Sequence, residues 1–417
     1  MNTEFTFPLN YSAFGQHIGI KRDNLLDFGV IHSGVPASAA AVFTKNRFCG
    51  NPIVVGRENI QMGRIQTIVV NSGNANVATG PAGLELVYEY CKIAAENLGI
   101  SPLMIFPSST GIIGRALPAD IIKSACANIK EKLGKQDFES FSRAIMTTDA
   151  YPKMKTTELS NGIRIAGIAK GAGMIQPDMA TMLSYILSDA AMESADLQRL
   201  LTCVANRTFN RLSVDGDTST SDTVIFLANG ASNIRVAFSE AAAAEYAELS
   251  DPFVEKQIDG MKYLDEVSKD FIKSAGYLCR DIVKLIAKDG EGAEKCVELR
   301  VTEAKTREQA VKIGRSIINS PLFKTALHGA DPNWGRIIMA VGKVYDEDIP
   351  FDGLKIFFGD RMLSSAKTTE NLKEFSEYLK GEDIIIRVSL GTGDVNEIFW
   401  GCDLGEKYIK INSYYTT

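Results

Sequence analysis

Short apolar runs rich in β-branched residues, each bounded by Gly, Asn, Ser or Pro, recur along this chain: NPIVVG, IQTIVVNSG, GIRIAGIAKG, TMLSYILSD, DTVIFLANG, KCVELRV, GRIIMAVG, LKIFFGD and EDIIIRVSLG. Their length and composition predict strands. Between them, apolar residues recur at three- and four-residue spacing in GLELVYEYCKIAAENL, ADIIKSACANIKEKL, ADLQRLLTCVANRTFN, FIKSAGYLCRDIVKLIAKD and REQAVKIGRSIINSPLFKTAL. That spacing predicts helices. Over the first two hundred residues strands come in consecutive groups separated by helix pairs. This favours a layered α+β arrangement, with helices covering stacked sheets, over a doubly wound parallel sheet. The Ala-rich FSEAAAAEYAELSDPFVEKQIDG reads as a solvated helix. After LIAKDGEGAEK the pattern becomes strand, helix, strand over residues 296–344, so the expected division is a larger unit of residues 1–295 and a smaller α/β unit of residues 296–417.

Composition narrows the function classes. A chain of 417 residues exceeds the size at which a single core keeps growing. Hydrophobic residues at 45% and charged residues at 23% are those of an ordinary soluble globular protein. A net charge of −6 leaves no basic surplus for phosphates, so nucleic acid is not an expected partner. The apolar runs fall short of a bilayer span, and MNTEFTFPLNYSAFG lacks the parts of a secretory signal, so a cytoplasmic protein without membrane association is expected. Seven scattered cysteines without a C-x-x-C pair read as buried thiols in a reducing compartment. The histidines, His17, His32 and His328, show no metal spacing and read as structural or surface residues. No metal or cofactor is expected, and any general base comes from another group.

Three Gly- and Asn-rich segments stand out: NSGNANVATG (71–80), PSSTGIIG (107–114) and KGAGMIQPDMAT (170–181). Such loops let backbone N–H groups approach an anion, although each alone is also an ordinary turn at a strand end. None matches a phosphate-binding glycine motif. SSAK (364–367) has the S-x-x-K form of some acyl-enzymes but lacks its S-D-N and K-T-G partners. VDGDTSTSDT (214–223) resembles part of a calcium loop without the terminal Glu, and reads better as a turn whose Asp and Thr side chains bond nearby backbone. Glu291 lies between two glycines after a predicted helix and is a candidate to meet a substrate amine. HGADPNWGR is either a pocket wall or a rigid corner packed on its Trp.

Thr181 ends a segment that contains Gly173, Pro177 and Asp178, and opens an apolar run. A hydroxyl needs a base before it attacks, and the α-amine of an N-terminal threonine serves as one. An α-amine titrates near pH 7.7 to 8.0, so the chemistry needs no histidine. A break between Ala180 and Thr181 would create that terminus.

These residues carry a resemblance. KGAGMIQPDMATML, with SGVPASAAAVFTKNR, NSGNAN, SSTGIIG, MTTD, VDGDTSTSDT, DGEGA, SPLFKTALHGADPNWGRI and YIKINSYYTT in the same order, resembles the ornithine acetyltransferase family from end to end. The resemblance implies an αββα-type layered fold with a smaller C-terminal unit closing the substrate site. It further implies self-cleavage into fragments 1–180 and 181–417. The implied activity is ping-pong acetyl transfer from N2-acetylornithine to glutamate through an acetyl ester on Thr181, in arginine biosynthesis. By the same resemblance Thr110 and Gly111 form the oxyanion site. Thr147, Lys170, Thr181, Glu291, Asn412 and Thr417 bind substrate, with Thr148 an alternative to Thr147. Acetyl-CoA is a second candidate donor, and a homo-oligomer of processed protomers is implied. Two departures, Pro107-Ser108-Ser109 before the oxyanion threonine and Glu294 where Thr is expected, bear on acceptor preference. Two other readings stand beside this one: an N-terminal-threonine aminopeptidase or amidase, and an uncut amino-acid-binding protein.

Overall fold

The computed structural model describes residues 5–176, 182–251, 253–363 and 369–414. Strand β2 (Phe28–Phe43) organises the larger part. Its register on β3 (Arg64–Asn74) shifts between His32 and Ala37, and the two halves of the strand serve two leaves of one sheet. The first half pairs with β1 (Tyr11–Gln16) and β3, and β4 (Ile105–Ile112) runs parallel to β3. The second half pairs with β9 (Thr223–Ala228), after which come β7 (Leu183–Ser188), β6 (Arg164–Lys170) and β5 (Lys153–Glu158).

Alternation of side chains across the strands sorts the core into layers. Ile31, Ile68 and Val70 from the first leaf share one cluster with Ala39, Ala41, Tyr185, Leu187, Ile225 and Leu227 from the second. Phe138, Phe141 and Ile145 of α4 (Phe138–Ile145) join this inner layer. The opposite face of the first leaf, Phe28, Val30 and Val69, packs under α1 (Asn51–Asn59), α2 (Gly80–Leu98) and α3 (Ala119–Ala127). The opposite face of the second leaf, Val42, Ile186, Val224 and Phe226, packs under α5 (Ser194–Arg207) and α8 (Glu266–Lys288). Two short helices, α6 (Glu240–Glu248) and α7 (Glu255–Asp259), add Tyr246 and Ile258 to that cluster. The order helix, leaf, leaf, helix is an αββα sandwich within the layered α+β class.

A second sheet has the order β12 (Arg361–Leu363), β11 (Lys355–Phe358), β13 (Asp383–Ser389), β10 (Cys296–Ala304), β14 (Val395–Cys402), β8 (Leu212–Ser213). Cys296, Trp400 and Cys402 turn one face of it toward α8. Val297, Leu299, Val301 and Phe399 turn the other toward α9 (Arg307–Ile318), α10 (Pro321–His328) and α11 (Trp334–Gly342). Helix α12 (Thr369–Tyr378) contributes Phe375 to the same core. The last described element, α13 (Glu406–Tyr414), has no buried residue.

The structure corrects several local readings. NPIVVG is the start of α1: Pro52 in the first turn fixes a helical φ, and packing of Ile53 and Val55 overrides their strand preference. GRIIMAVG lies in α11, whose buried Ile337, Ala340 and Val341 follow a three- and four-residue spacing that the unbroken apolar letters conceal. Residues 296–344 are therefore a strand followed by three helices. REQAVKIGRSIINSPLFKTAL divides at Pro321, where Ser320 Oγ caps the Phe323 N–H. The Ala-rich helix also divides in two, with Asp251 turning the chain through the Phe253 N–H at 2.9 Å. The cysteines are free thiols, five of them buried and Cys49 and Cys203 half-buried. No described helix is long and apolar enough to cross a membrane.

Candidate active site

The ends of β4 and β6, the turn after α8 and the helix α13 converge on one cleft. Thr110, Gly111, Thr147, Thr148, Lys170, Glu291 and Asn412 all line it, with Ser219 and Ser221 opposite. An adjoining cavity reaches from Thr110 and Lys170 to Met182, the residue that follows Thr181 in the chain. Thr181 itself, with Ala180, Thr417 and the SSAK segment, lies outside the described residues.

Gly111 closes β4 at φ +128, a conformation reserved for glycine, and a Cβ there would stand 2.5 Å from the Gly73 carbonyl carbon. The bend it makes is held by the asparagine-rich segment. Asn71 accepts from Ser109 Oγ at 2.6 Å and donates to the Asn74 carbonyl at 2.8 Å. Asn74 donates to the carbonyls of Arg115 and Ala116, both at 3.1 Å. NSGNAN thus braces the end of β4 from behind. Lys170 ends β6 and donates from Nζ to Thr110 Oγ1 at 3.0 Å and to Thr147 Oγ1 at 3.1 Å. Because an ammonium only donates, both threonines receive a bond and keep their own protons for a ligand in the cleft.

Burial lowers the Lys170 ammonium from its ordinary range and Lys153 acts in the same direction, while Asp149, Asp222 and Glu291 oppose them. Asp149 lies behind it. Burial would raise that carboxyl, but Lys153, Lys170 and the Thr147 N–H bring it down to about 2. Across the cleft, Asn412 Nδ2 donates to Glu291 Oε2 at 2.9 Å, and Lys407 on the same helix pairs with Glu294 at 2.7 Å. The departure at Glu294 therefore fastens α13 beside the cleft rather than entering it.

Asp215 takes the Met174 N–H at 2.6 Å and the Ile175 N–H at 2.8 Å, and Thr218 Oγ1 donates to the Gln176 carbonyl at 3.0 Å. The 214–223 segment is thus partly the self-bonded turn read from its sequence, through Asp217 N–H to Asp215 at 3.2 Å, and chiefly a brace for the loop leading to residue 177. Met174, held by that brace, has φ 55, an uncommon conformation for a residue with a side chain. The HGADPNWGR segment is a corner between α10 and α11 with Trp334 against the second core. Among the described residues no group of three or more His, Cys, Asp or Glu is placed to hold a metal.

A sequence model of the ArgJ family matches residues 12–417. The chain belongs to the ArgJ family. Its relatives include arginine biosynthesis bifunctional protein ArgJ 2 of Clostridium acetobutylicum, 41% identical over 99% of this chain and 98% of the relative. Glutamate N-acetyltransferase Oat2 of Streptomyces clavuligerus is 38% identical over 98% of each chain. Among solved structures, ornithine acetyltransferase of Mycobacterium tuberculosis in complex with ornithine is 32% identical, with a TM-score of 0.40 over 42% of this chain and 94% of its own.

Within this ArgJ chain, the residues that motif reading missed are supports. Asp149 was visible as the last letter of MTTD and Asp215 as the first acid of VDGDTSTSDT, but neither spacing discloses what it holds. Lys21 gave no signal. Its Nζ donates to the carbonyls of Leu26 at 2.9 Å and Met146 at 2.6 Å, behind Thr147, and burial lowers its ammonium to about 8.

Proposed function

We propose that this protein is an acetyltransferase of arginine biosynthesis that cuts itself before Thr181 and moves an acetyl group from N2-acetylornithine to glutamate through an ester on that threonine. Six residues from five separated motifs, Thr110, Gly111, Thr147, Lys170, Glu291 and Asn412, line one cleft, and that convergence carries the reading.

In the first half-reaction the Thr181 hydroxyl attacks the acetyl carbonyl as its proton passes to the Thr181 α-amine. The Thr110 hydroxyl and the Gly111 N–H receive the developing oxyanion. The tetrahedral species collapses, the C–N bond breaks, and ornithine leaves with the proton. Glutamate's amine then attacks the ester, and the same groups restore the threonine. Lys170 meets the α-carboxylate common to both substrates, and Glu291 meets the side-chain ammonium of ornithine. No cofactor enters this scheme, and acetyl-CoA would act only as a second donor to the same threonine.

The test is to incubate the purified protein with N2-acetylornithine and glutamate and to follow acetylglutamate and free acetate. Formation of acetylglutamate is expected. Acetate alone would replace transfer with hydrolysis, and neither product would leave a binding protein.

A further inference from the structure

Two buried carboxylates outside the reacting set share one ammonium. Lys153, whose side chain is wholly enclosed, donates to Asp149 Oδ1 at 2.6 Å and to Asp289 Oδ2 at 2.5 Å. Asp149 also accepts the Thr147 N–H at 2.9 Å and the Gly171 N–H at 2.6 Å, so it grips Thr147 itself and the residue after Lys170. Asp289 ends α8 and accepts the Ala150 N–H at 3.0 Å. Two residues on, Glu291 donates its N–H to the Ala172 carbonyl at 2.8 Å.

The arrangement is costly in isolation. Asp289 faces the negative end of a long helix, and burial raises its carboxyl, with Lys153 opposing. A buried ion cluster is weak evidence of stabilisation, because desolvation offsets much of its attraction. Its placement fits another role. Thr147, Lys170 and Glu291 all line the cleft, and Lys153 joins Asp149, which holds the Thr147 and Gly171 backbone, to Asp289, two residues before Glu291.

We propose that the Asp149–Lys153–Asp289 bridge fixes the span between the carboxylate-binding side and the ammonium-binding side of the cleft, and so selects the chain length of the acetylated diamino acid. This rests on the proposed function, which assigns those two sides. Asp149 and Lys153 precede residue 181 and Asp289 follows it, so the bridge also joins the two expected fragments. Gly173 completes the ruler: a Cβ there would fall 2.4 Å from Glu291 Oε2, so the Glu291 carboxylate rests directly on the loop that Asp149 holds.

The three are positioning residues, and the readout is chain-length preference rather than activity alone. The measurement is kcat/KM for N2-acetylornithine against its homologues one methylene shorter and longer. Asp289→Asn, which keeps the shape and removes the charge, is expected to narrow the wild-type preference about tenfold, mainly through KM for N2-acetylornithine. Lys153→Arg keeps the charge and lengthens the bridge, and is expected to shift preference toward the longer homologue. It decides the matter should Asp289→Asn not fold. Folded, transferring variants that keep the wild-type ratio within about twofold overturn the proposal. Wild-type protein that transfers acetyl from neither N2-acetylornithine nor its homologues overturns instead the acetyltransferase reading beneath it.

Discussion

At the scale of single residues, the cleft is defined by who may donate. Lys170 saturates one acceptor position on Thr110 and leaves that hydroxyl's proton for a ligand, which is the oxyanion in the proposed reaction. Thr110→Val is therefore expected to lower kcat by about 10²- to 10³-fold with little change in KM, measured by steady-state acetyl transfer. Lys170→Met is expected to raise KM for both substrates, since both present an α-carboxylate. Because burial lowers the Lys170 ammonium, with Lys153 adding to it and Asp149, Asp222 and Glu291 opposing, its charge is lost as pH rises through a value below the usual lysine range. KM should then climb on an alkaline limb that Lys170→Met abolishes. Lys153→Met strands two buried carboxylates and is expected to cost about 3–5 kcal/mol in chemical denaturation. The residues that line the cleft were legible because each sits in a short motif. Lys153 and Asp289 were not, because they meet across 136 positions of sequence and nothing local announces a long-range pair.

At the scale of elements, the chemistry is placed by braces. Asp215 pins the backbone of Met174 and Ile175 with Met174 left-handed, so the chain enters the 177–181 segment from a fixed and strained geometry. Asp215→Ala is expected to slow fragment formation, seen as persistence of the full-length band on a denaturing gel. Helix α13 carries Asn412 into the cleft without burying a residue of its own, so it should exchange backbone amides well before α8, whose apolar face is packed from Phe271 to Ile286. Helices with a clean three- and four-residue spacing, α2, α5 and α8, could be read in advance. α1 and α11 could not, because Ile and Val in a short run satisfy strand and helix patterns equally and only packing decides between them.

At the scale of the whole molecule, the layered sandwich brings loop ends from distant parts of the chain to one edge, and the second sheet seals α8 from behind. Trp400, fully buried between α8 and that sheet, bonds Glu298 at 3.2 Å, and Trp400→Ala is expected to cost about 3–5 kcal/mol. The layered class followed from grouped strands and helices, whereas the folding of one sheet into two leaves through β2 depends on a register shift that no hydrophobic pattern marks. Thr110, Gly111, Thr147 and Lys170 come from the chain before residue 181, and Glu291 and Asn412 from the chain after it, so neither expected fragment holds a complete site. The most direct test is the intact mass of purified, active protein before and after brief exposure to N2-acetylornithine without an acceptor. The account predicts two fragments, with the one beginning at Thr181 gaining a single acetyl group that glutamate removes. An active, uncut polypeptide, or an acetyl group found only on the other fragment, would contradict it.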